Sequence, residues 1–116
     1  MSECNLDIRD IGNVTIIDVY GRITLGDGSF YFRDTVSRLV TNGSKNIIVN
    51  LAESTYVDGS GVGELVSALT TTLNQGGNLK LLNITKRTQD LLQITKLHEA
   101  FEIYEEEATA VRSFIR

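Results

Sequence analysis

Cysteine and histidine are nearly absent from this sequence of 116 residues, which has one of each and no proline. A single cysteine excludes an internal disulfide and fits a reducing cytoplasm. One cysteine and one histidine also cannot build a metal site from those two ligand types. We therefore expect no structural disulfide and no metal.

Long apolar runs and basic patches are missing as well. No apolar run approaches the ~20 residues that a membrane helix needs, and the opening MSECNLDIRD has no apolar signal core. The net charge is −4, and the eleven Lys and Arg are scattered. Because nucleic acid usually requires a basic patch, direct DNA or RNA binding is not expected. We expect a cytoplasmic protein without membrane insertion.

Strand and helix patterns alternate along the chain, which is 41% hydrophobic and long enough for one domain spanning residues 1–116. The first strands are predicted in LDIRDI and NVTIIDVYGRITL, with a tight turn at Gly21. Further strands are predicted at residues 46–51, 79–83 and 101–104. Helices are predicted after the GDG loop at 26–28, after the loop at 58–61, and at 85–97. A final helix is predicted to carry Ala108, Val111 and Ile115. This order predicts an α/β fold with a mixed, mostly parallel sheet and about four helices.

A glycine-rich loop, VDGSGVG, places Ser60 between a buried strand and an amphipathic helix. The loop at residues 58–61 should lie beyond the carboxyl end of a parallel strand, where ligands and partners tend to bind. Two interpretations are open. Ser60 or Asp58 is only an N-cap, or Ser60 accepts a covalent phosphate that the helix N-terminus stabilises. In the second case, Gly59 and Gly61 permit an unusual backbone path and clear space for a kinase.

Catalytic and nucleotide-binding motifs do not fit this loop. A nucleophile elbow needs G-x-S-x-G, but the outer positions here are Asp58 and Val62, and His98 is the only histidine. A P-loop needs Gly-Lys followed by Ser or Thr, and the chain has no Gly-Lys. The dinucleotide fingerprint fails because Glu64 stands where its last glycine belongs. We set these three motifs aside, and we expect no cofactor.

The stretch VDGSGVGEL resembles the D-x-S-G-hydrophobic-G signature of STAS domains, the sulfate transporter and anti-sigma factor antagonist family. The resemblance covers about residues 6–114 and includes GRIT, NIIVNL, LKLLNIT and KLHEAFEIYEEEATAV. It implies a regulatory protein rather than an enzyme, namely a stand-alone anti-sigma factor antagonist. Such a protein binds an anti-sigma factor that is also a serine kinase and thereby releases a sigma factor. The kinase then phosphorylates the serine that matches Ser60, the antagonist lets go, and a phosphatase resets the cycle.

This sequence departs from the family pattern at Thr24, where an acidic residue associated with kinase recognition is common. Either Thr24 and Asp27 replace it, or the chain is a STAS interaction module that is not phosphorylated, such as a scaffold of a stress-signalling complex or a regulatory subunit of a lipid or anion transporter. Apart from Ser60, the expected partner-binding residues are Thr24, Asp27, Tyr56, Asp58, Gly59, Gly61, Glu64, Ser67 and Asn83, with Thr71 beside them.

Overall fold

Five strands and four helices form the domain in a computed structural model that describes residues 4–23 and 27–115. The strands are β1 (Cys4–Ile11), β2 (Val14–Ile23), β3 (Asn46–Val57), β4 (Asn78–Leu82) and β5 (Ile103–Tyr104). The helices are α1 (Asp27–Thr41), α2 (Gly59–Asn74), α3 (Lys86–Ile94) and α4 (Glu107–Arg112). The predicted α/β fold with a mixed, mostly parallel sheet and four helices is confirmed.

The sheet has the order β1-β2-β3-β4-β5. β1 is antiparallel to β2, and all other neighbours are parallel. Successive side chains of a strand point to opposite faces, so Ile17 and Ile47 enter a core beneath α1, α2 and α3, while Ile16 and Ile48 enter a smaller core beneath α4. Because β2, β3, β4 and β5 are parallel, their carboxyl ends lie on the same side of the sheet.

The tight turn predicted at Gly21 is wrong. β2 continues through this residue, and the register with β3 shifts between Gly21 and Arg22. Gly21 has φ +88°, a conformation that L side chains rarely adopt. Its partner Ser54 and the partner of Arg22, Tyr56, are separated by one extra residue of β3. The glycine therefore lets β2 continue past a β-bulge whose extra residue belongs to β3. The chain instead reverses at Gly12 and Asn13, between β1 and β2.

β3 is longer than the predicted strand at 46–51, and the predicted loop at 58–61 is wrong. β3 runs to Val57 and α2 begins at Gly59, so Asp58 alone separates them. β4 ends with Leu82 opposite Asn50. The last seven residues of β3 therefore run past the end of β4 and carry α2 away from the rest of the sheet edge.

Two further predictions fail at helix ends. The GDG loop was expected to include Asp27 and Gly28, but both belong to the first turn of α1. In the last helix, Ala110 is the buried residue, whereas Ile115 lies beyond the end of α4 and is 62% exposed. Hydrophobic spacing alone placed the end of the last helix too late, because α4 is only six residues long.

Candidate functional site

The start of α2 is held by its N-cap, Asp58. This residue has extended backbone, with φ −98° and ψ −172°, and its Oδ1 accepts a hydrogen bond from the Gly61 N–H at 2.8 Å. Its carbonyl accepts from the Val62 N–H at 2.9 Å. A carboxylate at this position also interacts favourably with the helix dipole. Of the two residues predicted as caps, Asp58 is the cap and Ser60 is not.

Ser60 is the second residue of α2, and it is exposed. None of the hydrogen bonds found among residues 4–23 and 27–115 uses its hydroxyl. The cap contact belongs to Asp58, so the hydroxyl remains available at the positive end of the helix. This is the arrangement that a phosphate acceptor needs, since a phosphate added there would meet backbone donors.

Gly61 fixes the position of this first turn against β2. A Cβ built on Gly61 would lie 2.1 Å from the carbonyl oxygen of Ile23 and 2.9 Å from a methyl carbon of Val57. Gly59 and Gly63 have open space where a Cβ would be. The two roles predicted for Gly59 and Gly61 therefore belong to different residues. Gly61 permits a close backbone approach, while Gly59 leaves open space beside Ser60.

One face of α2 presents small polar residues to solvent. The exposed positions at helical spacing are Ser60, Gly63, Ser67, Thr70 and Asn74. Thr71 is half-buried. Ser67 thus shares an exposed face with Ser60, as predicted from the i, i+3 and i+4 spacing.

Glu64 differs from its predicted setting on an open surface. Its carboxylate Oε2 accepts a hydrogen bond from Arg33 Nε of α1 at 2.9 Å, and its side chain is only 16% exposed. Arg33 is 55% exposed. Arg33 is not among the predicted site residues, because nothing in the spacing of α1 indicates which of its outer residues faces α2.

Asn83 lies just beyond the end of β4. Its Nδ2 donates to Asn50 Oδ1 at 3.2 Å, at the level where β4 ends. The last seven residues of β3 lie between that level and the start of α2. The expectation that Asn83 lies near Ser60 stays a prediction.

Asn83 belongs to a polar network on the face covered by α4. Asn50 Nδ2 donates to Asp18 at 2.8 Å, and Arg9 donates to Asp18 at 2.6 Å and to Glu107 at 2.6 Å. Burial raises the pKa of Asp18, but the hydrogen bonds from Arg9 and Asn50 outweigh it and hold this pKa below its ordinary value. The network joins the first strand to the last helix.

Three predicted partner-binding residues fall partly or wholly outside this description. Thr24 lies outside the described residues, and so do the side chains of Asp27 and Tyr56. The backbone of Asp27 begins α1. Tyr56 is the residue before the end of β3 and pairs in register with Arg22.

A depression of about 590 Å³ lies away from Ser60, beyond the carboxyl ends of β4 and β5, where Ile84, Tyr104 and Glu105 are among its lining residues. Within residues 4–23 and 27–115, no three His, Cys, Asp or Glu side chains are grouped so as to hold a metal ion. Among the helices described, none has both the length and the apolar character to cross a membrane.

Comparison with known proteins points to one family. The sequence model of the STAS domain matches residues 5–110. The anti-sigma-B factor antagonist of Bacillus subtilis (strain 168) is 27% identical over 99 residues, which are 85% of this chain and 89% of that protein. The curated relative is thus an anti-sigma factor antagonist matched over most of its length.

Solved structures show the same fold. The anti-sigma factor antagonist SpoIIAA in its unphosphorylated form matches with a TM-score of 0.80 and 19% identity, over 95% of this chain and 96% of that one. The phosphorylated form of the Bacillus cell fate determinant SpoIIAA matches with a TM-score of 0.75, 19% identity and 95% and 99% coverage. The murine anion transporter Slc26a9 matches with a TM-score of 0.73 and 18% identity, over 89% of this chain but only 18% of the transporter chain.

Proposed function

This chain belongs to the STAS domain family, and on that premise we propose that it is an anti-sigma factor antagonist switched by phosphorylation of Ser60. In its unphosphorylated form it binds an anti-sigma factor that is also a serine kinase, and so releases a sigma factor. Phosphorylation by that kinase ends the complex, and a serine phosphatase restores binding. The role is that of a regulatory protein without enzymatic activity, acting in the bacterial cytoplasm where sigma factors meet RNA polymerase.

The observation that carries this proposal is the setting of Ser60. Its hydroxyl is exposed in the first turn of α2 and takes part in none of the hydrogen bonds described, while Asp58 supplies the cap. Removing or modifying the hydroxyl therefore leaves the start of the helix intact. The existence of SpoIIAA in a phosphorylated form is a further support, as is the curated relative from Bacillus subtilis.

The chemistry is a transfer of the γ-phosphoryl group of ATP. A bond forms between Ser60 Oγ and the γ-phosphorus, the bond to the β-phosphate oxygen breaks, ADP leaves, and the hydroxyl proton passes to a base of the kinase. The protein gains a charge of about −1.5 to −2 beside Asp58. An interface that fits a neutral hydroxyl then contains charge without a partner, which favours dissociation.

The test is incubation with the cognate kinase and Mg-ATP, followed by mass spectrometry of the modified peptide. We expect one phosphate, on Ser60, and no uptake by Ser60→Ala. Thr85→Ala is a matched control, since it removes a hydroxyl from another helix start, and it should be phosphorylated normally. Phosphate on Thr24, Ser29 or Thr85 instead of Ser60 would overturn the proposal.

A second candidate function is that of an interaction module that is not phosphorylated, for example a regulatory subunit of a transporter. It is favoured by the match to Slc26a9, in which this fold occupies 18% of a much longer chain. A pull-down from native lysate separates the two functions: capture of a kinase favours the first, and capture of a transporter with unmodified Ser60 favours the second.

A further inference from the structure

The contact between α1 and α2 beside Ser60 is an ion pair that the STAS signature does not include. Arg33 Nε donates to Glu64 Oε2 at 2.9 Å. The carboxylate is largely covered, with its side chain 16% exposed, whereas Arg33 is 55% exposed. The glutamate is therefore fixed in place, while the long arginine side chain has solvent around it and room to move.

Helix geometry places this pair over the first turn of α2. Glu64 follows Ser60 by four residues, so their Cβ atoms are about 5–6 Å apart on one face of the helix. Side chains of a helix lean toward its N-terminus and cover the preceding turn. The Glu64 carboxylate and the Arg33 guanidinium bound to it thus lie on the same side of α2 as the Ser60 hydroxyl, within the reach of an arginine side chain.

The first turn itself has little freedom to adjust to a new charge. Gly61 sits so close to the Ile23 carbonyl that a Cβ would lie 2.1 Å from it, and Asp58 holds the Gly61 N–H. A dianion on Ser60 would lie next to two carboxylates, those of Asp58 and Glu64. The backbone donors of the helix N-terminus meet part of the new charge, and Arg33, already bound to Glu64, is a cation in place to compensate the rest.

We propose that Arg33 is the residue that responds to phosphorylation: its guanidinium leaves Glu64 and binds the phosphate on Ser60. This inference rests on the proposed phosphorylation of Ser60. Arginine binds phosphate through two parallel charge-assisted hydrogen bonds, and a dianion attracts it more strongly than one carboxylate does. Glu64 then loses its partner and becomes a bare carboxylate. The surface seen by a kinase changes across both α1 and α2, and not at one hydroxyl alone.

The test uses phosphoserine inserted at position 60 during translation, so that no kinase is needed. The second pKa of the phosphate, ordinarily near 6, is measured by phosphorus NMR titration. Arg33→Gln should raise this pKa by about half a unit, because it removes a cation that stabilises the dianion. Glu64→Gln should lower it, because it removes a competing anion. Arg38→Gln is the matched control, since Arg38 lies on the same helix and pairs with Asp34 at 3.2 Å; it should change the pKa by much less.

A second measurement needs no substitution at Arg33 or Glu64. The Nε–H resonance of Arg33 should shift between the protein with serine and the protein with phosphoserine at position 60, while that of Arg38 stays. An unshifted Arg33 resonance, or equal effects of Arg33→Gln and Arg38→Gln on the phosphate pKa, overturns the inference. Failure of the kinase to modify Ser60 would instead count against the proposed function and leave these NMR outcomes unaffected, so the two failures are distinguishable.

Discussion

α2 and α3 both begin beyond the carboxyl ends of parallel strands, and both have a side-chain cap, yet their first turns differ. Asp58 accepts from the Gly61 N–H at 2.8 Å, and Thr85 accepts from the Thr88 N–H at 3.1 Å. The Thr85 hydroxyl also donates to Thr88 Oγ1 at 3.1 Å, so it is fully engaged. In α2 the capping group and the exposed hydroxyl belong to different residues, Asp58 and Ser60.

The residues after each cap extend this difference. α3 continues with Lys86 and Arg87, two cations at the end of the helix where the dipole disfavours them, and Lys86 lies 3.6 Å from Asp90. α2 continues with Gly59 and Ser60, which are small and uncharged residues. The start of α3 is completed by its own side chains, whereas in α2 the Ser60 hydroxyl is exposed and takes part in none of the hydrogen bonds described. The predictions below test this contrast, from the largest expected effect to the smallest.

The largest effect is expected from Gly61→Ala. The new Cβ would lie 2.1 Å from the Ile23 carbonyl oxygen, and a backbone atom cannot move away cheaply. We expect a loss of about 3 kcal/mol or more in the free energy of unfolding, at or above the usual range for overpacking. The measurement is urea unfolding followed by circular dichroism.

Gly63→Ala is the control for that experiment. Nothing lies within 4 Å of a Cβ at Gly63, and alanine is the better helix former, so we expect a gain of up to about 1 kcal/mol. If Gly61→Ala lowers the free energy of unfolding by less than about 1 kcal/mol, the close contact at Gly61 does not hold α2 against β2.

The next effect concerns partner binding. Ser60→Asp should weaken the complex with the anti-sigma factor by about 2 kcal/mol, or roughly thirtyfold, since it leaves a carboxylate unpaired in the interface. Thr85→Asp adds the same charge at the start of α3 and keeps a good N-cap, so its affinity should stay near wild type. Titration calorimetry with both variants decides: equal weakening by the two would mean that net charge, and not the α2 surface, controls binding.

A smaller effect is expected when each cap is removed. Asp58→Ala and Thr85→Ala should each lower the free energy of unfolding by about 1 kcal/mol. Asp58→Ala should cost more, because a carboxylate also favours the helix dipole, and Asp58→Asn should restore most of the loss. Thermal and urea unfolding of the four proteins provide the comparison. A larger loss from Thr85→Ala would reverse our ranking of the two helix starts.

The smallest effect is expected from Ser60→Ala. Ser60 does not cap α2, so the free energy of unfolding should change by no more than about 0.5 kcal/mol. Binding to the partner should be kept, since a methyl group replaces one hydroxyl. A loss near 1 kcal/mol would show that the serine side chain supports the helix after all.

The order of strands and helices could be predicted from the sequence because each buried element has its own periodicity. Alternation in β1 and the apolar run at the start of β3 are local signals, and so are the spaced apolar residues of α2. The bulge at Gly21 and the full length of β3 are not local. A glycine within a strand reads like a turn, and Leu51–Val57 alternates too weakly to be recognised without β2 beside it.

For the candidate site too, local features could be predicted from the sequence and long-range contacts could not. The position of Asp58 and Ser60 at a helix start could be predicted, because a short motif precedes the apolar spacing of α2. The role of Gly61 depends on Ile23, and that of Glu64 depends on Arg33. Both contacts join residues more than thirty positions apart, and such pairings follow from packing, which one sequence does not reveal.

The overhang of β3 beyond β4 has a consequence for amide hydrogen exchange. In a parallel strand, successive N–H groups point to opposite neighbours, and from Leu51 to Val57 the strand has β2 on one side and no longer β4 on the other. Amides on that second side exchange through local opening, whereas those of Ile47 to Asn50 need a larger unfolding of the sheet. The part of β3 that carries the site is thus less protected than its first half, and a bound partner would be registered there as slower exchange.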